Sequence, residues 1–174
     1  MAQEELTKEA SQMVLDEQGG MWVETCRQMA YGNFKYAEEM FNRFLNLDPD
    51  ETKIMYILAQ CYAQMDRNGL AMILTKKHID ANPDFADAYN LFGVCLRNEG
   101  RLEDAERYFK IAIEKGGDKG ILYGNIGSLY VEGRSPYECI EWSDKALALN
   151  ANDYNAQWNK ALALLALGRF KEAW

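Results

Sequence analysis

Small and apolar positions recur along this chain at a fixed interval. Ala37, Ala71, Ala105, Cys139 and Ala173 form one such column. A strict period of about 34 residues marks a repeat architecture, in which each unit covers its apolar face with its neighbours. A second column, Thr25, Ala59, Gly93, Gly127 and Ala161, is also small. Three places later stand Gln28, Tyr62, Leu96, Tyr130 and Leu164, mostly large. Phe41, Thr75, Phe109 and Ser143 fill a further column. Small residues opposite large ones let two helices interlock at short range.

The pattern predicts helix–turn–helix units at 18–51, 52–85, 86–119 and 120–153, with a partial unit at 154–174. The turns fall at Tyr31-Gly32-Asn33, Asp66-Arg67-Asn68, Glu99-Gly100-Arg101, Gly133-Arg134-Ser135 and Gly168-Arg169. Glycine there suits the left-handed backbone that ends a helix. Ser135-Pro136-Tyr137-Glu138 reads as a helix start, with Ser135 as cap, Pro136 at the first position and Glu138 closing a capping box. Pro49 and Pro83 stop helices at the first two joints. The third joint, Lys115-Gly116-Gly117-Asp118, has two glycines and is expected to hold its units less tightly. Ahead of the units, Leu6, Ala10, Met13 and Val14 recur at helical spacing, so residues 1–17 are expected to form an N-terminal capping helix.

These columns resemble the tetratricopeptide repeat: a unit of about 34 residues, two helices, small residues at two contact points, an aromatic between them and a proline at the joint. Residues 86–119 match it well through Tyr89, Gly93, Gly100, Ala105, Phe109 and Ala112. Departures are Glu24 in the first unit and Cys139 and Ser143 in the fourth. The resemblance implies an all-α fold: an α-solenoid, wound as a right-handed superhelix, whose first helices (over 18–174) line a concave groove. The expected function is a non-enzymatic scaffold that binds a peptide or protein segment there.

Helix periodicity places Trp22, Tyr56, Asn90, Gly124 and Trp158 in one column on that face. Gln60, Arg97 and Asn125 stand beside it. Aromatic rings and side-chain amides suit an extended peptide. The alternative reading of Trp22 and Trp158 is packing between units. The Lys, Asn and Arg spacing with which some relatives hold an acidic C-terminus is not met. The asparagine ladder of others is represented by Asn125 and Asn159 alone, with Leu91 breaking the series.

Composition narrows the picture. Lys plus Arg total 19 and Asp plus Glu 27, a formal net charge of −8. Nucleic-acid backbones need clustered cations, so no nucleic-acid partner is expected. No apolar run approaches the roughly 18 residues of a membrane span, and MAQEELTKEA is no signal peptide. Cys26, Cys61, Cys95 and Cys139 include no CxxC pair, and Cys61 and Cys95 share a repeat position. Free thiols and a cytoplasmic location are expected. His78, the one histidine, reads as a helix contact. No cofactor, no metal and no catalytic residue are expected, because no phosphate loop, Cys–His pair or HExxH occurs.

The stretch WNKALALLALGRFKEAW is apolar around much of its girth and carries Leu162, Leu165, Phe170 and Trp174. Such a helix expects neighbours on several sides. The end therefore reads as a surface for homo-oligomerisation, or as the continuation of a longer protein. Its GRFKEAW run is similar to the last repeat before the catalytic region of some glycosyltransferases, so a targeting region of such an enzyme is the alternative reading.

Overall fold

The computed structural model describes residues 20–47, 51–133 and 135–172. The expected cap at 1–17, Pro49 and the pair Ala173 and Trp174 lie outside the described residues. Helix α1 covers 20–30. It is followed by α2 (Phe34–Leu47), α3 (Thr52–Gln64), α4 (Asn68–Ala81), α5 (Ala86–Asn98) and α6 (Leu102–Glu114). The chain continues through α7 (Lys119–Glu132), α8 (Pro136–Leu149) and α9 (Tyr154–Ala166). No strand occurs among the described residues. The fold is an α-solenoid of antiparallel helix pairs, with odd-numbered helices along one face.

The columns pack as small-against-large. Thr25, Ala59, Ala37, Ala71, Ala105 and Cys139 are fully buried. Phe109 of α6 lies so close to Gly93 of α5 that a Cβ on the glycine would sit 2.6 Å from the ring. In α1, Trp22 meets Phe41 and Phe44 edge-on, each with ring centroids 5.5 Å apart. His78 lies beside Thr52, its Nδ1 2.6 Å from that residue's carbonyl oxygen. It is a helix contact in the second pair.

Three local expectations differ from the structure. Ser135 occupies the cap position of α8, but its side chain makes no capping bond; Pro136 at N1 starts the helix without it, since proline needs no acceptor there. Gly133 has φ −75°, not a left-handed value. The left-handed residue of the second turn is Asp66, at φ 57°. Third, the glycine-rich joint is tight. A Cβ on Gly117 would lie 2.9 Å from the Ala112 carbonyl oxygen, 2.9 Å from Leu122 Cδ1 and 3.2 Å from Ala86 Cβ. Glycine there permits close approach, and Lys115 bridges the joint to Asp84 at 2.6 Å.

Candidate ligand groove

Successive first helices lie side by side and are joined by polar side chains. Asn125 of α7 donates its amide N–H to Asn90 Oδ1 of α5 at 2.9 Å. Asn159 of α9 donates to the Gly124 carbonyl at 3.3 Å. Ser128 accepts from Arg97 Nη1 at 3.1 Å and donates to the Asn125 carbonyl at 2.7 Å. Arg97 also stands 3.8 Å from a Glu132 oxygen. These residues share one helix face because they recur close to the repeat period, so each adds a rung to the same strip.

Between α5, α7 and α9 the strip opens into a cavity of about 390 Å³. Arg97, Asn125, Ser128 and Asn159 line it, with Ile121, Asp153 and Asn155 at its N-terminal side. Asp153 is committed to capping α9, accepting from the Asn155 and Ala156 N–H groups at 3.0 and 3.1 Å. The Arg97 guanidinium thus meets the Ser128 hydroxyl at 3.1 Å and, at 3.8 Å, the Glu132 carboxylate. Ile121 and Asn155 were not singled out from the sequence. They are themselves one full period apart, so the repeat carried that signal.

The remaining residues of the expected lining are dispersed. Trp22 sits against its own second helix. Tyr56 lies half-buried between His78 and Phe85, at 5.1 Å from each ring, and its hydroxyl accepts from Gln60 at 3.4 Å. Trp158 is 66% exposed. Leu162 and Leu165 are half-buried, while Phe170 is 63% exposed.

Four weak acids have strongly raised pKa values. Burial, reinforced by Asp87, pushes the Tyr56 hydroxyl up to about 12. Burial and the bond to Glu106 do the same for Tyr130, also to about 12. Burial lifts the Cys61 and Cys95 thiols to about 11. A raised folded-state value means the native state keeps its proton while the unfolded chain loses it. The stabilisation is fully present below the ordinary values of 9.0 for the thiols and 10.0 for the phenols. It is lost as pH rises through about 11 to 12. Far-UV circular dichroism against pH is expected to show alkaline unfolding in this window, shifted upward in Tyr56→Phe.

Among the described residues no helix is long and apolar enough to cross a membrane. No group of His, Cys, Asp and Glu there could hold a metal ion.

Residues 73–119 match the sequence family described as the tetratricopeptide repeat. Comparison with curated protein sequences finds no match. Among solved structures, PilF of Pseudomonas aeruginosa is similar with a TM-score of 0.77 and 20% identity, over 90% of this chain and 71% of that one. MamA is similar with a TM-score of 0.73 and 20% identity, over 86% and 87%. YrrB, described as a TPR protein with an unusual peptide-binding site, gives 0.64 and 21%, over 79% and 71%. At such identities the likeness is one of fold. With the periodic columns and the paired helices around that match, residues 73–119 carry the tetratricopeptide-repeat sequence and the described array has the fold of such repeats.

Proposed function

We propose that the chain is a non-enzymatic interaction scaffold that holds a peptide or protein segment across α5, α7 and α9. The observation that carries this reading is the 390 Å³ cavity whose lining combines a guanidinium, a hydroxyl and side-chain amides with the Asp153 carboxylate and Ile121. An asparagine offers one donor group and one acceptor, the same pair that an extended main chain offers in reverse. Asn125 uses its N–H on Asn90, and its side-chain carbonyl has no donor among the described residues. Ile121, 57% exposed, and Trp158 add apolar surface beside this polar strip. The peptide-binding site for which YrrB is described supports the same use of the fold.

A random peptide library displayed against the chain tests this. Selected peptides are expected to lose about 1.5–3 kcal/mol of binding free energy with Arg97→Ala and about 0.5–1.5 kcal/mol with Asn125→Ala. Peptides that bind both variants as tightly as the unaltered chain would place the ligand elsewhere.

A second reading, self-association near the end of α9, is favoured by the exposure of Phe170. Sedimentation velocity decides it: a monomer at high concentration removes it. The four free cysteines, three of them buried, support a reducing compartment such as the cytoplasm.

A further inference from the structure

One junction of the solenoid leaves open a space that the preceding junction fills. Between the end of α7, the start of α8 and the second half of α9 lies a cavity of about 470 Å³. Tyr130, Pro136, Cys139, Leu162 and Ala163 are among its lining residues. One period earlier, the corresponding junction is where α5, α6 and α7 meet. There Leu96, Ala105 and Leu129 are buried in one core cluster, with Leu102 packed against it.

The later junction changes these filling groups. Ala163 stands where Leu129 stood, and Pro136 where Leu102 stood. Both exchanges remove side-chain carbon, as do Val131 for Arg97 and Ala166 for Glu132, while Leu162 for Ser128 adds carbon and Cys139 for Ala105 adds a sulfur. Deletions leave a void where the surroundings do not refill it. Tyr130 replaces Leu96 but carries its hydroxyl to Glu106 of α6, donating at 2.9 Å. Cys139 contributes a buried thiol that already donates to the Asn159 carbonyl at 3.4 Å. Burial raises its pKa, so the thiol stays neutral.

Among the described residues the lining therefore offers hydrocarbon and few polar partners for water. The cavity is open on one side, where Ala166 is exposed, and covering its apolar lining with an apolar guest releases water from that surface. The volume lies within the roughly 300–1,000 Å³ typical of small-molecule sites. We propose that this cavity binds a small apolar molecule, aliphatic or aromatic, whose bulk takes the place of the leucine side chains present one period earlier. The site uses none of the polar residues of the groove, so it does not rest on the peptide reading.

Isobutylbenzene, which joins a leucine-like branch to a ring, is a suitable probe. It is expected to raise the Tm of the unaltered chain, with the rise growing with the logarithm of its concentration. Ala163→Leu restores the earlier junction's residue. That variant is expected to melt a few degrees higher without the probe and to lose the probe-induced shift. Ala163→Met serves in its place should the leucine variant not fold. In the unaltered chain, amide resonances shifted by the probe are expected to cluster at 130–139 and 162–166. No Tm rise, an equal rise in the filled variants, or shifts centred on Asn90 and Asn125 would each overturn the proposal.

Discussion

Truncating Phe109 to alanine is expected to remove about 3–5 kcal/mol of stability, the usual range for deleting a buried phenylalanine. The ring is fully buried in a core that includes Leu96, Ala112 and Ile126. Its fit depends on Gly93, where an added Cβ would stand 2.6 Å from Cε1 and 2.8 Å from Cδ1. Gly93→Ala should accordingly overpack the pair and cost roughly 1–3 kcal/mol. The same change one period on gives an internal control. Gly127 faces Ser143, not a ring, and its added Cβ would lie 3.3 Å from the hydroxyl oxygen. Gly127→Ala is therefore expected to cost clearly less than Gly93→Ala. Urea unfolding followed by circular dichroism measures all three, and equal costs at the two glycines would sink the packing argument.

Replacing Gly117 by alanine is the second large effect, and it acts on the coupling between units. The added Cβ would collide with the Ala112 carbonyl oxygen at 2.9 Å, and a backbone atom cannot rotate away. It would also press on Leu122 of α7 and Ala86 of α5, the first helices of the two units that the joint connects. A cost of roughly 1–3 kcal/mol follows. The Lys115–Asp84 pair offers little compensation, since Asp84 is largely exposed and exposed pairs contribute about 0–1 kcal/mol. In a linear array, stability is the sum of unit terms and nearest-neighbour interfaces. Weakening one interface should broaden the transition and let the halves on either side of the joint exchange their amide hydrogens separately. A single transition, as sharp and as stable as that of the unaltered chain, would contradict this account.

The architecture was legible because the period repeats the same small-against-large contact at each unit. Ala37, Ala71, Ala105 and Cys139 are all fully buried, as one column should be. Local endings were less legible. Ser135 has the residue type of a cap and the position of one, yet makes no side-chain bond. A cap depends on a side-chain torsion and a few degrees of backbone, which composition does not specify. The glycine pair at the third joint misleads for a different reason. Glycine is read by default as freedom, but at Gly117 it marks a close approach.

The face proposed to hold a ligand shows the same division. Asn90, Arg97 and Asn125 fall on one strip because helical spacing and the repeat period agree there. Trp22 and Trp158 share a register, yet one meets Phe41 and Phe44 while the other is two-thirds exposed. A residue at the edge of a helix face turns toward whichever neighbour offers area. Trp22 has an aromatic second helix beside it; Trp158 has no second helix of its own among the described residues.

By itself, then, the sequence determined the repeat length, the helix pairing, the buried columns and the face that carries the amides. All of these follow from periodicity, which one chain displays in full. Only the tertiary structure decided which aromatic rings turn inward, that the Gly117 joint is close-packed, and that the junction around Ala163 is hollow. Those depend on the difference between neighbouring volumes at one place in space. That difference is set by where Tyr130, Pro136 and Ala163 come together, and not by any of them alone.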